Sequence, residues 1–489
     1  MIIGMYIGYK LKDNIKSPQH FWDMQPVNTL QEVVELISRK YADSINIDTL
    51  KTKAIHNILQ QLDPYSTYIP ANIVEELNNQ LSGSFKGLGI EFQIIRDTAN
   101  IIYVIHESPA AEAGLKVGDQ LLAINNTPLT TLHTTPEKIK QQLQSTTEPN
   151  IKLDIWRNAR RLQINITKGR VPVYTVDAAY KLDSITGYIR VNRFAENTYI
   201  EFMQALEKLL KQNSKQIVLD LRDNGGGLLT SAVDIVDELL NEDKRIVYIQ
   251  GKNVPRVEYD CKRAGLFEKG KLVVLVNEGT ASAAEVVAGA LQDWDRATII
   301  GRPTFGKGSV QEQYMLSDGA GLRLTTARYY LPTGRNIQKY YNNNKDTLNK
   351  QFFKTPAGHI VYSNNGIMPD AIIPVDSIWN TPSTKALIEK NIINKFAYEY
   401  FIANRKTIEV YKTLIDFAKQ YTLPTIIWSD FLTYAKQSGV EINTSSSTLQ
   451  IEILHRIKAL LARLIWSNEG FYEVYNVNDD FIKKRELLN

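Results

Sequence analysis

One stretch of the chain, residues 271–311, restricts most strongly what the sequence can fold into. Its apolar, β-branched segment 272–276 has the length and composition of a buried strand. Small residues follow at 277–281, and the alanine-rich segment 283–292 predicts a helix. A strand, a tight turn and a helix in this order can present a serine hydroxyl at the edge of a sheet. Ser282 occupies that position.

The same serine also has a simpler interpretation. Ser282 and Glu285 form the pattern of a capping box, in which a hydroxyl and a carboxylate each accept a backbone amide at the start of a helix. The amide of Ala283, however, lies where the unpaired N–H groups and the dipole of a helix favour negative charge. Further along, Lys307 stands in the glycine-rich sequence TFGKG and is followed by Gln311. The whole string, more than any single residue, suggests catalysis.

Two motifs in this stretch, EGTASAAEVVAGALQD and GRPTFGKGSVQ, resemble those of the carboxy-terminal processing peptidases, also called tail-specific proteases. Further motifs that match this family are LDLRDNGGGLL at 219–229, ARYYLPTGRNIQ at 327–338 and GIMPD at 366–370. The resemblance covers residues 28–375. It implies a serine endopeptidase in which Ser282 is the nucleophile, Lys307 is the general base and Gln311 is the third catalytic residue.

This chemistry makes a demand on Lys307, because a lysine can accept a proton only when it is neutral. From a reference pKa of about 10.4, deprotonation near pH 7 costs roughly 4–5 kcal/mol. Removal from water can lower the pKa of a buried lysine enough to offset this cost. Lys307 therefore needs a closed, apolar pocket, and Phe305 is a candidate wall. Gln311 is a candidate to hold the amine by a hydrogen bond, as the third member of a triad does.

The oxyanion that forms during acyl transfer needs hydrogen-bond donors, which backbone amides commonly supply. The amide of Ala283, at the start of the predicted helix, is the first candidate. The second lies in the glycine loop 225–227, directly after the predicted strand 217–221. The family resemblance favours Gly227 as this donor. Gly225 stands where many members of the family carry proline, which changes the expected loop conformation.

A strand-rich pattern before the catalytic region resembles a PDZ domain. The sequence GLGI, formed by Gly87, Leu88, Gly89 and Ile90, matches the loop whose amides capture the terminal carboxylate of a peptide. SPAAEAGLKVGDQLLAIN follows at the separation that is usual for this domain. The captured peptide would add as a strand beside the segment after the loop. The alternative is a module that binds no peptide and only supports the active site.

Alternating strands and helices from residue 170 onward, the strand 246–250 among them, predict a largely parallel sheet covered by helices. Within this region, Asp220 and Arg222 are interpreted as a structural charge pair, and Asp318 with Gly319 as the turn of a hairpin. The predicted fold class is α/β multidomain. The predicted regions are a linker segment (1–27), an N-terminal helical region (28–82), a β-sandwich-like PDZ domain with helices (83–169), an α/β serine peptidase domain (170–375) and a helical C-terminal extension (376–489).

The start of the chain leaves two alternatives open. Residues 1–9 are apolar but too few to cross a bilayer, which takes about 20 residues. They are either a simple terminus or the end of a signal-anchor within segment 1–27. The family resemblance favours a membrane anchor and implies action in the bacterial cell envelope, on the periplasmic side. It also implies a homo-oligomer formed through region 28–82, where the sequence alone shows amphipathic helices with the usual role of core packing.

The composition, with 43% hydrophobic and 22% charged residues, is ordinary for a soluble globular protein. A net charge of +4 over 489 residues, without a dense basic cluster, gives no indication of nucleic-acid binding. The one cysteine, Cys261, excludes an intrachain disulfide. The predicted partners are protein or peptide substrates with free C-termini.

Other function classes fit the sequence less well. GRPTFGKG differs from a phosphate-binding loop, because Gly308 replaces the magnesium-binding hydroxyl and a strand pattern follows. Between residues 170 and 375 His359 is the one histidine, which disfavours a histidine-based protease. No metal-binding motif is present, so neither a metal nor a cofactor is predicted. The alternative from another class is a non-catalytic scaffold that uses its PDZ module to hold peptide tails.

Overall fold

The computed structural model describes residues 29–129, 135–145, 149–339, 351–443 and 446–486, so the predicted linker segment 1–27 lies outside the described residues. The helices, numbered in chain order, are α1 (Thr29–Lys40), α2 (Ile47–Gln60), α3 (Ala71–Leu81), α4 (Pro109–Glu112), α5 (Pro136–Ser145), α6 (Thr198–Lys211), α7 (Leu229–Asp237), α8 (Ala283–Asp293), α9 (Pro382–Glu389), α10 (Ile392–Ile408), α11 (Leu414–Gln420), α12 (Ile427–Gln437), α13 (Ser447–Tyr475) and α14 (Asp480–Glu486), with a 3-10 turn at Ser377–Asn380.

The strands, also numbered in chain order, are β1 (Thr67–Ile69), β2 (Ser84–Gly87), β3 (Ile90–Ile95), β4 (Thr98–Val104), β5 (Gln120–Ile124), β6 (Thr127–Pro128), β7 (Asn150–Arg157), β8 (Arg160–Thr167), β9 (Gly169–Pro172), β10 (Val176–Lys181), β11 (Thr186–Val191), β12 (Gln216–Asp220), β13 (Arg245–Gln250), β14 (Val257–Asp260), β15 (Lys271–Val276), β16 (Thr298–Gly301), β17 (Ser309–Met315), β18 (Gly321–Tyr330), β19 (Phe352–Lys354), β20 (Ile360–Tyr362) and β21 (Ala371–Ile372).

The chain divides into two compact units. The first consists of Met1–Ala71 with Gln311–Thr325, and the second consists of Asn72–Val310 with Thr326–Asn489. The five regions predicted from the sequence are a finer division, which stays a prediction.

In the first unit, β1 pairs antiparallel with the first residues of β18, and β17 pairs with the same strand. The connection between β17 and β18 turns at Asp318 and Gly319, as predicted, and Gly319 has φ +81°. Helix α1 has no buried residue, and its apolar side chains of Leu30, Val33 and Leu36 are 49%, 46% and 52% exposed. The amphipathic pattern of this helix predicts that it packs into a core, and this prediction is wrong for the described residues.

In the second unit, the PDZ-like region contains an antiparallel sheet in the order β3-β4-β5-β7-β8. Strand β3 lies at the edge, with β4 as its one neighbour among the described strands. Its residues Ile90, Phe92 and Ile94 pack against the core of this region. Helix α4 begins after Ser108, whose hydroxyl accepts the amide of Ala111 at 3.4 Å. The strands and the short helix that the sequence predicts are therefore present.

The α/β region is built around the sheet β10-β11-β12-β15-β16-β21. Strands β11, β12, β15, β16 and β21 run parallel, whereas β10 pairs antiparallel with β11. All residues of β11 are buried, and only the first residue of β12 and of β15 is partly exposed. Continuous burial of this kind is expected for parallel strands covered on both faces. The predicted α/β class with a largely parallel sheet is confirmed.

The predicted strand 246–250 lies outside this sheet, so its assignment to the parallel alternation is wrong. It forms β13, which pairs antiparallel with β14 and with the last residues of β18. The rings of Tyr248 and Tyr330 stack across this pairing with their centroids 4.8 Å apart. The physical reason is that a short connection suffices for an antiparallel neighbour, while a parallel neighbour needs a crossover.

The region after β21 is helical, as predicted, and has an apolar core of its own. In this core Phe401, Phe417 and Phe431 are at most 1% exposed. Helix α13 is interrupted at Trp466 and Ser467, whose backbone angles are not helical. Among the described residues, no helix combines the length and apolar character that a membrane span requires.

Candidate active site

Ser282 lies in the turn that joins β15 to α8, at the position predicted from the sequence. Thr280 fixes this turn, because its hydroxyl donates to the carbonyl oxygen of Leu221 at 2.8 Å and accepts the amide of Asn277 at 3.0 Å. Ser282 has φ +56° and ψ −119°, a conformation that costs a residue with a side chain about 1–3 kcal/mol. The fold therefore imposes an unfavourable backbone conformation on the serine.

The phenol of Tyr329 is buried and lies near the Ser282 hydroxyl. Burial raises the pKa of Tyr329, so its phenol remains neutral at physiological pH. A neutral phenol can both donate and accept a hydrogen bond. Tyr329 can therefore orient the serine oxygen without adding charge beside it.

One buried carboxylate, that of Glu285, connects the serine turn with the loop that carries the lysine. It accepts the amide of Ser282 at 2.8 Å, which is one half of the predicted capping box. It also accepts the amides of Lys307 and Gly306, both at 2.8 Å, and the hydroxyl of Thr304 at 2.5 Å. Burial raises the pKa of Glu285, and these donors oppose the change without cancelling it. A single side chain thus fixes the backbones of the predicted nucleophile and base.

A backbone contact also holds the lysine loop against the serine turn. The amide of Phe305 donates to the carbonyl oxygen of Thr280 at 3.0 Å. After Lys307, the amide of Gly308 donates to Oε1 of Gln338 at 3.0 Å. The side chain of Phe305 is 41% exposed, which makes it a poor wall for a dry pocket. The loop is therefore fixed mainly through its backbone.

The glycine loop after β12 lies directly against Ser282. The carbonyl oxygen of Asn224 accepts the amide of Ala281 at 2.9 Å, and its side chain accepts the amide of Gly226 at 2.9 Å. A Cβ at Gly226 would lie 2.8 Å from the Cβ of Ser282, which leaves no room for a side chain. Gly226 is thus explained by the close approach of two backbones, whereas a Cβ at Gly225 would meet no atom within 4 Å.

The predicted oxyanion donors are the amides of Ala283 and Gly227. Ala283 is the first residue of α8, where an amide has no acceptor within the helix. Gly227 has φ +140° and forms a bridge with Phe194, a bridge that does not use the Gly227 amide. Within the described ranges, neither amide has a hydrogen-bond acceptor. Both remain available to a substrate, and their role as oxyanion donors stays a prediction.

Gln311 belongs to the first unit, where its side-chain nitrogen Nε2 donates to the carbonyl oxygen of Tyr65 at 2.7 Å. Asp63 stabilises the turn around Tyr65, since its carboxylate accepts the amides of Tyr65 and Ser66 at 2.7 and 2.9 Å. Burial alone would raise the pKa of Asp63, but the hydrogen bonds from Ser66 and Tyr65 hold it below its ordinary value. The role of Gln311 as the third catalytic residue stays a prediction.

Asp220 and Arg222 form the charge pair predicted from the sequence, with 2.6 Å between guanidinium nitrogen and carboxylate oxygen. Asp220 also lies 3.0 Å from a guanidinium nitrogen of Arg190 and accepts the hydroxyl of Tyr188 at 2.6 Å. Burial alone would raise the pKa of Asp220, but the two guanidinium groups hold it well below its usual range. This cluster fixes the end of β12, from which the glycine loop starts.

The predicted carboxylate-binding loop of the PDZ-like region joins β2 to β3. Gly89 has φ +86°, and a Cβ there would clash with the side chain of Ser108. The carbonyl oxygens of Leu88 and Gly89 accept the amides of Ala110 and Ile105 at 2.8 and 2.9 Å. The carbonyl groups of the loop are therefore held by hydrogen bonds within the PDZ-like region. Capture of a peptide by the amides of the loop stays a prediction.

The structure also bears on the rival functions. Strand β17 begins two residues after Lys307, where a phosphate-binding loop would continue into a helix. Nδ1 of His359 lies 2.7 Å from Oδ1 of Asp295, and the histidine side chain is 74% exposed. In the part of the chain that the structure describes, no group of three or more His, Cys, Asp or Glu side chains could hold a metal ion.

Sequence reasoning missed three residues of this site. It treats Glu285 only as a helix cap, although a carboxylate in an apolar, alanine-rich helix already indicates a buried polar contact. Tyr329 and Asn224 lie within two of the motifs quoted above, but their spacing does not reveal that they approach Ser282. Only the fold brings them to the serine.

A parallel sheet that ends in a strained, backbone-anchored serine, together with a PDZ-like sheet, places the protein in the class of serine proteases. Comparisons with protein-family models agree. The model of peptidase family S41 matches residues 185–344, and the PDZ domain model matches 101–157. A family of unknown function matches residues 384–467.

The chain is 36% identical over 314 residues to a carboxy-terminal-processing protease of Bartonella bacilliformis, a match that covers 63% of this chain and 71% of that protein. It is 30% identical over 317 residues to a probable CtpA-like serine protease of Staphylococcus aureus, covering 64% of this chain and 63% of the relative. The chain therefore belongs to peptidase family S41, which confirms the resemblance seen in its motifs. A solved photosystem II D1 C-terminal processing protease is 26% identical, with a TM-score of 0.39 over 71% of this chain and 86% of that one.

Proposed function

We propose that the protein is an endopeptidase that cuts proteins near or from their C-terminal tails. Ser282 attacks the carbonyl carbon of the scissile bond, while Lys307 takes the hydroxyl proton and later gives it to the leaving amine. Water then releases the acyl group from the serine. Gln311 holds the lysine amine, and the amides of Ala283 and Gly227 stabilise the oxyanion.

The observation that carries this proposal is the shared use of Glu285 by the backbones of Ser282 and Lys307. A nucleophile and its base must be held in a fixed relation, since a displacement of about 1 Å can slow a reaction about 100-fold. A purely capping carboxylate needs only the bond to Ser282. A helix cap does not require the additional donors from the lysine loop, and their presence supports a catalytic role.

The PDZ module is proposed to hold the free C-terminus of the substrate at its GLGI loop. Support comes from β3, which lies at the edge of its sheet and can add an extended peptide through main-chain hydrogen bonds. Substrates are therefore proteins or peptides with free C-termini. The alternative, a scaffold that binds tails without cutting them, uses the same loop and edge.

A tail substrate tests both the chemistry and the capture. The substrate is an unstructured protein with a free, apolar C-terminus, and its control carries an amidated C-terminus. The wild type is expected to cut the free form faster, while Ser282→Ala and Lys307→Ala bind it without turnover. Equal turnover in all three proteins would rule out the catalytic assignment. If the wild type binds the substrate without cutting it, the alternative function as a non-catalytic scaffold is favoured.

Location and assembly are further parts of the proposal. We infer action in the cell envelope, on the periplasmic side. A homo-oligomer is supported by the exposed apolar side chains of α1. Sedimentation of the wild type beside Leu36→Asp tests this, because a charge in that apolar face should weaken self-association.

A further inference from the structure

The C-terminal extension contacts both the PDZ-like region and the catalytic sheet. Its helix α13 is the element that reaches both of them. The interruption at Trp466 and Ser467 divides this helix into two parts. Arg463, before the interruption, and Ser467, within it, contact the PDZ-like region. Glu469 and Tyr472, beyond it, contact the catalytic sheet.

Two ion pairs join the PDZ-like region to the extension. Glu91 on β3 lies 3.2 Å from Arg463, and Arg96 in the following turn lies 2.6 Å from Glu399. Both PDZ-side residues are exposed, with Arg96 at 80% of its side chain and Glu91 at 45%. Exposed ion pairs contribute little to stability, so these two orient the contact more than they stabilise it.

Less exposed contacts reinforce the same surface. The hydroxyl of Tyr103 donates to the hydroxyl of Ser467 at 3.2 Å. The side chain of Val117 packs against the apolar core of the extension, and its carbonyl oxygen accepts the guanidinium of Arg405 at 3.0 Å. The PDZ-like region therefore contributes an apolar side chain to the core of the extension.

The two contacts that come from strands of the PDZ-like region lie on one face of its sheet. Glu91 and Tyr103 are paired neighbours on β3 and β4, whereas Ile90 and Phe92 pack into the domain core. Because side chains alternate along a strand, the extension covers the face opposite to that core. On β3 the contact uses the side chain of Glu91 and leaves the backbone edge of the strand to a peptide.

The other end of the extension is built into the catalytic sheet. The carboxylate of Glu469 accepts the amide of Ala179 in β10 at 3.2 Å, and Asp479 pairs with Arg222 at 2.6 Å. Three apolar side chains of the extension complete the buried layer on this face of the sheet, namely Tyr472, Phe481 and Ile482. The extension is thus joined to the strand whose end carries the glycine loop.

We propose that the extension holds the PDZ module at a fixed position relative to Ser282. It thereby sets the distance along the substrate between the captured C-terminus and the bond that is cut. This inference rests on the proposed function, because it requires that the module binds tails and that Ser282 cuts them. A tail held at one end and cut at a set distance gives fragments of uniform length.

Two sets of substitutions loosen the contact from the PDZ side and leave the extension intact. Glu91→Arg combined with Arg96→Glu opposes like charges across both ion pairs. Val117→Asp independently places a carboxylate against an apolar core, which is costly. The matched control is Arg161→Glu, since Arg161 forms a 2.6 Å ion pair with Asp154 inside the PDZ-like region itself.

Spin-label distances give the first measurement and need no enzyme activity. Labels are placed at the exposed positions Lys140 and Lys215, each replaced by cysteine, in a background with the buried Cys261→Ala. Wild type and control are expected to give one narrow distance distribution. The loosened variants are expected to lose most of that peak to a broad distribution. Unchanged narrow distributions in both loosened variants would overturn the proposal.

Product lengths give the second measurement. With the free-tail substrate, mass spectrometry is expected to find C-terminal fragments of few lengths for the wild type and control, and of many lengths for the loosened variants. Identical fragments in all proteins would overturn the link between the extension and specificity. An inactive wild type would contradict the proposed function instead, and the spin-label distances would still decide whether the extension holds the module.

Discussion

At the scale of single residues, Glu285 shows how one side chain can serve two segments of the chain. A buried carboxylate is costly unless hydrogen bonds compensate it. Glu285 meets this requirement with donors from its own turn and from residues 304–307. The segments that carry the predicted nucleophile and base therefore share one acceptor, and a change in it should disturb both.

Glu285→Gln is expected to lower kcat more than it changes KM. Glutamine keeps one acceptor oxygen but turns an NH2 group toward N–H donors, and each unsatisfied donor costs about 1–3 kcal/mol. If that cost falls on the transition state, kcat drops by about 5- to 150-fold. The matched control is Glu278→Gln, a carboxylate of the same turn that pairs with Arg302 at the surface. A folded Glu285→Gln protein with wild-type kcat would refute this account of the residue.

Ser282, Lys307 and Gln311 could be named from the sequence because family motifs carry them in order. Glu285 could be found there only as a cap. Its contacts with the lysine loop depend on the fold, since the donors lie far away in sequence and reach it through the return of the chain along β16. Local patterns describe neighbours in the chain and are silent about such distant partners.

Among the elements, the turn around Tyr65 is the one that anchors Gln311. Asp63→Asn should weaken this turn, because an amide cannot accept all of the hydrogen bonds that the carboxylate receives. We expect kcat to fall by about threefold to tenfold, the equivalent of one hydrogen bond. In a Gln311→Ala background the same substitution should have little further effect. Equal losses of kcat in both backgrounds would show that the turn does not act through Gln311.

The charge cluster at the end of β12 gives a prediction about pH. Asp220→Asn removes the buried carboxylate that Arg190 and Arg222 share, although Arg222 keeps its 2.6 Å ion pair with Asp479. Loss of this shared partner should lower the free energy of unfolding by about 3–5 kcal/mol. The pKa of Asp220 is lowered by folding, so its stabilisation is present above the unfolded value of about 3.9 and is lost as pH falls through the folded pKa.

Urea unfolding of wild type and Asp220→Asn at several pH values checks this sign. The difference in unfolding free energy should be the same at pH 7 and pH 5 and should shrink only below about pH 4. A difference that already disappears between pH 7 and pH 5 would show that another group controls the stability.

Strand and helix patterns predicted most elements but not all of their partners. The apolar strands of the parallel sheet are recognisable because burial on both faces leaves a continuous apolar run. The pairing partner of β13 could not be recognised from the sequence, since a strand of the same composition can also pair in an antiparallel sheet. Helix α1 shows the converse case, because its amphipathic pattern indicates an apolar face without indicating what covers it.

At the scale of the whole molecule, the extension and the catalytic sheet share a buried layer. Phe481 is 8% exposed and lies with its ring 4.5 Å from the Arg222 guanidinium. Phe481→Ala is expected to destabilise the protein by about 3–5 kcal/mol. Hydrogen exchange should then rise in β12 and β15 as well as in α14. The control is Val477→Ala, a site that is 67% exposed. Faster exchange confined to α14 would mean that the two parts unfold separately.

The central claim is that Ser282 is a nucleophile that Lys307 activates, and a fluorophosphonate tests it most directly. This reagent forms a bond between phosphorus and a reactive serine oxygen, with loss of fluoride. Peptide mass spectrometry should find the adduct on the wild-type peptide that contains Ser282, and none on the folded Lys307→Ala protein. Equally fast labelling of Ser282 without the lysine, or a proteolytic wild type whose Ser282 stays unlabelled, would contradict it.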